Sequence, residues 1–143
     1  MSSSSIDALS PVDGRYRAAA QPLRELMSEA GLIRERIRIE ALWLLHLAGA
    51  VPQLPGATLT DAVRRAAEAL ARATPADAPE SVKRIEQRTN HDVKAVEYYV
   101  REQLTAQGAT PATLELVHFG CTSEDLNNLS YARLLVDARA ASQ

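Results

Sequence analysis

Apolar residues spaced three and four positions apart constrain this chain more than any other feature of its sequence. The clearest series is Ile33, Ile37, Ala41, Leu44, Leu45 and Ala48. Such spacing places its members on one face of an α-helix that packs against a core. Its outer face is expected to carry the charged residues Arg34, Glu35, Arg38 and Glu40. Similar series follow along the chain, without convincing period-two alternation, so the sequence predicts an all-α fold.

Proline and glycine mark the interruptions between the predicted helices. A loop over residues 1–21 leads to a short helix from Pro22 to about Ala30, which Gly31 is expected to end or kink. Residues 49–56 and 74–79 are predicted connectors. The last segment is still helical in pattern where the sequence stops, without a cap signal, and this is typical of truncation.

Composition narrows the classes of function. The 143 residues are 46% hydrophobic and 24% charged, which suits a globular domain. A net charge of −2 provides no general field for nucleic acid, so no nucleic-acid partner is expected. Cys121 is the one cysteine, which excludes an internal disulfide and a multi-cysteine zinc site. Residues 1–5 lack the features of a signal peptide, and no apolar run reaches the ~20 residues of a membrane span. We therefore expect a cytoplasmic protein without a membrane partner.

A Thr-x-x-Asp spacing occurs three times, at 58–61, 89–92 and 122–125, each time before an apolar series. This spacing resembles a capping box, in which the first side chain accepts from a free helical N–H and the acidic one reaches back. Capping alone explains the first copy. The second and third are surrounded by further polar groups, in Arg88-Thr-Asn-His-Asp92 and His118-Phe-Gly-Cys-Thr-Ser-Glu-Asp125.

These two polar clusters are also candidates for binding an anion. A helix N-terminus offers free N–H donors and the positive end of a dipole, to which Thr122, Ser123 and Asn90 would add neutral donors. Glu124 and Asp125 oppose this, so they must point away, pair with arginine or organise the loop. A capping or structural role therefore stays open.

Single histidines and exposed arginines are ambiguous in the same way. His91 and His118 are each compatible with a structural or a catalytic role, and the spacing of the histidines makes a zinc site improbable. Gly14 permits a tight turn that would present Arg15 and Tyr16 as donors to phosphate or carboxylate. A surface arginine beside a tyrosine at the edge of the core explains the same pair without any ligand.

Three segments together resemble one enzyme family. Ser10-Pro-Val-Asp-Gly-Arg-Tyr16, Arg88-Thr-Asn-His-Asp-Val-Lys-Ala-Val-Glu-Tyr98 and His118-Phe-Gly-Cys-Thr-Ser-Glu-Asp-Leu-Asn-Asn128 are similar to segments of the bacterial adenylosuccinate lyases, within the fumarase/aspartase superfamily. The resemblance implies that residues 1–112 form the N-terminal helical domain and that 113–143 begin the central helix bundle. It also implies β-elimination of fumarate from adenylosuccinate and from succinyl-aminoimidazole-carboxamide ribotide, without a cofactor or metal.

The same resemblance assigns roles to individual residues. Arg15 and Tyr16 are expected near the phosphate and ribose, and His118 near the bound nucleotide. Asn90, His91 and Asp92 form the second substrate-binding segment, in which the histidine orients the substrate and the aspartate holds the histidine. Thr122 and Ser123 are expected to bind a succinyl carboxylate. The general acid and base would follow residue 143, and the intact enzyme would be a homotetramer.

Two other interpretations remain. One is a different fumarase-type lyase, such as one acting on argininosuccinate. The other is a helical interaction domain without chemistry, in which the polar clusters are caps and ion pairs. Under the preferred interpretation the chain alone is expected to be inactive, and exposure of its last leucines is expected to cause self-association or disorder after about Asn127.

Overall fold

A computed structural model describes residues 8–141, and residues 1–5, in which the sequence shows no features of a signal peptide, lie outside this range. The described chain contains helices and no strand, which confirms the all-α prediction. The helices are α1 (Gln21–Met27), α2 (Glu29–Ala50), α3 (Asp61–Arg72), α4 (Ala78–Thr89), α5 (Asp92–Thr105), α6 (Pro111–Leu114) and α7 (Ser123–Ala141).

Helix α2 is the centre of the molecule. It packs against α1, α3, α4, α5 and α7, and its residues Ile37, Ala41 and Leu44 have no exposed surface. The core around it is built from the predicted apolar series of α3, α4 and α5, including Val63, Val82, Val96 and Val100. Because α2 has neighbours on several sides, it buries more than one stripe of side chains.

The charged side of α2 departs from the prediction. Arg34 and Arg38 are partly exposed, but Glu35 and Glu40 are buried, so their placement on the outer face was wrong. Arg36 is also buried. Helices α5 and α7 cover the side that carries these groups, and single-helix periodicity contains no information about a second or third neighbour.

The first helix boundary also differs from the prediction. Ser28 has an extended backbone and separates α1 from α2, and its hydroxyl accepts from the N–H of Gly31. Gly31 therefore lies inside α2 instead of ending α1. A Cβ at Gly31 would lie 1.9 Å from the carbonyl oxygen of Leu26, so glycine is needed for the close approach of the two helices.

The first predicted capping box was wrong by two residues. Thr60, and not Thr58, caps α3 by accepting from the N–H of Val63. The reason lies in the preceding segment, where Ala57 and Leu59 are buried against the core while Thr58 and Thr60 face outward. This anchoring moves the start of the helix past Thr58.

Helix α7 extends to Ala141 and is only partly covered by other elements. Leu126, Ser130 and Leu134 are buried, at successive spacings of four. Large apolar side chains on its other faces are exposed: Leu129, Tyr131, Leu135 and Val136. Of the three leucines after Asn127, Leu129 and Leu135 are exposed as expected and Leu134 is buried, whereas self-association stays a prediction. Among residues 8–141, no helix combines the length and apolar character needed to cross a membrane.

Candidate functional site

The second polar cluster forms the turn between α4 and α5. Asn90 ends α4 in the left-handed conformation (φ 50°), which asparagine tolerates better than most residues. The hydroxyl of Thr89 donates to the carbonyl of His91 at 3.1 Å. Thr89 is therefore the last residue of α4 and not the predicted cap of α5. The cap of α5 is His91.

The cap determines which nitrogen of the neutral His91 ring carries the proton. Nδ1 accepts from the backbone N–H of Lys94 at 3.1 Å, so the neutral ring carries its proton on Nε2. The side chain is 52% exposed, and Nε2 is free of hydrogen bonds to the described residues. The turn thus presents a histidine whose backbone holds one ring nitrogen and whose other nitrogen is a donor available to a ligand.

Asp92 has a different partner from the expected one. Its Oδ1 accepts from the N–H of Val93 at 2.8 Å and lies 3.7 Å from His91 Nδ1, beyond hydrogen-bond distance. Its Oδ2 pairs with Arg36 Nη1 at 2.9 Å. Partial burial works against the carboxylate, but the Val93 N–H and the Arg36 charge together lower the pKa of Asp92.

Arg36 connects this turn to α7. While Nη1 holds Asp92, Nη2 donates to Asn127 Oδ1 at 2.6 Å, across 91 positions of sequence. The arginine is 5% exposed. We call Arg36, Asp92 and Asn127 the Arg36 junction. Arg36 was not predicted from the sequence. The signal that could have indicated it is an arginine, whose planar guanidinium can bridge two acceptors, on the helix with the strongest apolar series.

The third polar cluster begins α7 with a true capping box. The hydroxyl and N–H of Thr122 donate to Asp125 Oδ2 at 3.0 and 2.7 Å, and Thr122 Oγ1 accepts from the Asp125 N–H at 3.4 Å. These hydrogen bonds lower the pKa of Asp125. Of the three choices left by the sequence, Asp125 therefore organises the loop. Both donors of Thr122 are occupied, whereas the Ser123 hydroxyl is free of hydrogen bonds to the described residues.

The turn before α7 is attached to α2 at two points. His118 Nδ1 lies 2.5 Å from Glu40 Oε1, and Trp43 Nε1 donates to the Phe119 carbonyl at 2.8 Å. His118 has a left-handed backbone (φ 64°). Cys121 lies beside this pair, where partial burial and the carboxylates of Glu40 and Asp125 raise the pKa of its thiol.

Arg15 and Tyr16 lie apart from these contacts. Both are exposed, and the Arg15 guanidinium stacks over the Tyr16 ring at 5.6 Å. The segment is held by an ion pair between Asp13 and Arg24 and by turns within residues 10–20. Arg36 thus joins the turn between α4 and α5 to the start of α7. The Arg15–Tyr16 pair makes no hydrogen bond or ion pair to either region within the described chain.

A groove of about 530 Å³ runs between α2 and α7, beside the Glu40 carboxylate. Trp43, His46, Leu126 and Leu129 form much of its wall. His46 is exposed and stacks on Trp43 with a centroid distance of 5.6 Å. Within the described residues, no three histidine, cysteine or acidic side chains converge as a metal site requires.

Comparison with known proteins gives one consistent result. The chain is 44% identical over 141 residues to adenylosuccinate lyase of Escherichia coli (strain K12) and 43% identical to that of Haemophilus influenzae. It is 41% identical over 140 residues to the enzyme of Vibrio cholerae. No family model matches the chain. Each match covers 97% of this chain and 30% of the relative. Over nearly its whole length, therefore, the chain is similar to adenylosuccinate lyases, and it spans about 30% of their length.

Proposed function

We propose that this chain supplies part of the substrate site of an adenylosuccinate lyase. The complete enzyme would cleave adenylosuccinate to AMP and fumarate, and succinyl-aminoimidazole-carboxamide ribotide to its aminoimidazole product and fumarate. The Arg36 junction is the observation that carries this proposal. It brings the turn with Asn90, His91 and Asp92 to the helix that begins at Thr122 and Ser123.

Donors at the junction suit an anionic substrate. His91 offers Nε2–H from a half-exposed ring, which fits a group that orients the substrate or its leaving nitrogen. Ser123 adds an unoccupied hydroxyl at the N-terminus of α7, where a succinyl carboxylate would meet the positive end of the helix dipole. Because Asp125 occupies the donors of Thr122, we propose that substrate binding displaces this carboxylate or uses Ser123 alone.

Arg15 and Tyr16 would bind the phosphate and ribose, with His118 near the nucleotide. The side chains of Arg15 and Tyr16 are exposed, so they would be accessible to a substrate in a site that other parts of a larger protein complete. In this proposal residues 1–112 belong to the first domain, and 113–143 begin a bundle that covers the exposed side of α7. The general acid and base come from outside this chain, and the enzyme is a cytoplasmic homotetramer without a metal or organic cofactor.

The first experiment measures fumarate formation from adenylosuccinate by the complete protein. We expect cleavage, and His91→Ala should lose most of the turnover, an effect far larger than the loss of about 1 kcal/mol in stability expected when the cap of α5 is removed. His46→Ala is the matched control, because His46 is exposed on α2 and lies outside the Arg36 junction. It should keep its turnover within about twofold.

Other outcomes would reject the proposal. Cleavage of argininosuccinate in place of adenylosuccinate would indicate another lyase of the superfamily. Full activity of His91→Ala would favour a helical scaffold with caps and ion pairs. The 143-residue chain alone should form no fumarate, because without a positioned acid and base both proton transfers are uncatalysed. Turnover by the isolated chain would contradict this division of roles.

A further inference from the structure

Glu40 is a carboxylate in the interior of the protein. Along α2 it follows Ile39 and precedes Ala41 and Leu44, both of which are fully buried. Glu40 is itself 1% exposed. A buried carboxylate without a partner is strongly unfavourable, so native proteins pair it or protonate it. Its hydrogen-bond partner among residues 8–141 is His118, through Nδ1 at 2.5 Å.

Other charged groups near Glu40 already have partners. Glu97 of α5 pairs with Lys94 at 2.8 Å and with Arg101 at 3.5 Å. Asp125 is held by Thr122. Burial raises the pKa of Glu40, and the Glu97 charge adds to this effect while His118 opposes it. His118 is thus the group that compensates the Glu40 carboxyl.

The backbone directs the His118 ring toward Glu40. His118 has a left-handed φ of 64°, which most residues other than glycine avoid. The Trp43–Phe119 hydrogen bond attaches the same turn to α2 three residues beyond Glu40. A ring held at Nδ1 has Nε2 as its remaining polar atom, and within the described chain this atom has no hydrogen-bond partner.

We propose that Glu40 is the positioning residue for His118: it binds Nδ1, and thereby presents Nε2 to the nucleotide part of the substrate. This inference rests on the proposed function, because it takes the ligand of His118 to be the substrate nucleotide. Glu40 contacts no substrate and acts only through the histidine. Removing either residue should therefore weaken the same interaction.

A double-mutant cycle in the complete protein tests this dependence, with adenylosuccinate as substrate. The variants are Glu40→Met, which keeps the side-chain volume and removes the acceptor, His118→Ala, and both together. We expect KM to rise about tenfold in each of the three, an effect of the size that follows when a metal-bound histidine loses its supporting carboxylate. The kcat should stay within about threefold, because a lost binding contact that persists in the transition state changes KM alone.

Glu35→Met is the matched control. Glu35 is also buried on α2, pairs with Arg133 at 2.5 Å and lies outside the His118 turn. Its replacement should change the unfolding temperature and leave KM unaltered. If Glu40→Met fails to fold, Glu40→Gln takes its place in the cycle, because the amide keeps the shape but loses control of which ring nitrogen carries the proton.

Two results would overturn the inference. One is a wild-type KM in the Glu40 variant. The other is a double variant whose KM rises by the product of the single effects, about a hundredfold, since independent residues act additively in free energy. Wild-type protein that does not cleave adenylosuccinate would reject the proposed function as well. Active wild-type protein with an additive cycle would reject only the role of Glu40.

Discussion

The Arg36 junction and the segment of residues 8–20 both contain groups proposed to bind the same substrate, but the fold holds the two regions in place to different degrees. At the junction, a buried arginine holds Asp92 and Asn127 at 2.9 and 2.6 Å. In the N-terminal segment, Arg15 and Tyr16 are exposed and contact mainly each other. One region is fixed by tertiary packing before any ligand arrives, and the other is attached to the core through α1.

The two regions therefore differ in how much they contribute to the stability of the fold. Residues at the junction stabilise the fold, because Arg36 and Asp92 close a contact between helices distant in sequence, and under the proposed function they also hold the turn that carries His91. The exposed side chains of the N-terminal segment add little to stability, and under the proposed function they act in binding the ligand. Substitutions at the junction should therefore reduce stability, whereas those of exposed side chains in the N-terminal segment should change binding with little effect on unfolding.

The largest effect is expected at the attachment of the N-terminal segment. Gly31→Ala would place a methyl group 1.9 Å from the Leu26 carbonyl oxygen, so α1 must move away, at a cost of about 3 kcal/mol. Hydrogen exchange of the 143-residue chain should accelerate in residues 8–28 while the amides of α5 stay protected. Gly49→Ala is the control, since a Cβ there meets nothing within 4 Å, and it should not destabilise the chain. Equal acceleration in both regions would show that they are not separate.

Arg36→Met tests the junction itself. Methionine fills part of the volume but leaves Asn127 and Asp92 without their donor, and we expect a loss of about 2 kcal/mol in unfolding free energy. The estimate is modest because the Asp92 side chain is 53% exposed and water can replace part of the interaction. Arg38→Met, whose ion pair with Glu35 is 3.8 Å long, should cost less than about 0.5 kcal/mol in the same denaturant titration. Similar losses in the two variants would contradict the special position of Arg36.

Thr122→Ala examines the start of α7. Loss of the capping box should reduce stability by about 1 kcal/mol, the usual contribution of an N-cap side chain. Thr58→Ala provides the comparison, because Thr58 shares the Thr-x-x-Asp spacing but faces outward and caps no helix. Its unfolding midpoint should equal that of the wild type. If both variants lose the same stability, sequence spacing predicts caps better than the structure indicates.

The smallest change in stability is expected for Arg15→Ala, within about 0.5 kcal/mol, because the side chain is exposed. In the complete protein the same substitution should weaken AMP binding by about tenfold or more, as expected for a lost arginine–phosphate pair. Arg64→Ala, an exposed arginine of α3, should change neither quantity. Unchanged AMP affinity in Arg15→Ala would remove the N-terminal segment from the proposed site.

The sequence predicted the local helical structure more completely than the contacts between distant segments. The all-α fold and the connectors near 49–56 and 74–79 followed from local pattern, and the Thr122–Asp125 capping box was correct. The roles of Arg15, Tyr16, Asn90, His91, Asp92, His118, Thr122 and Ser123 stay predictions. The expected bond between Asp92 and His91 gave way to Arg36, because a buried guanidinium needs a carboxylate and the ring nitrogen was already occupied by a backbone N–H.

By itself, the sequence determined the helices, since their apolar periodicity and their glycine and proline breaks depend on near neighbours along the chain. It also determined the resemblance to adenylosuccinate lyases, through motifs whose residues are contiguous. Only the tertiary structure decided that Arg36 and Glu40 face inward, and that they contact groups 91 and 78 positions away. A charge on one helix is buried or exposed according to which other helices pack beside it, and that choice depends on contacts among distant segments.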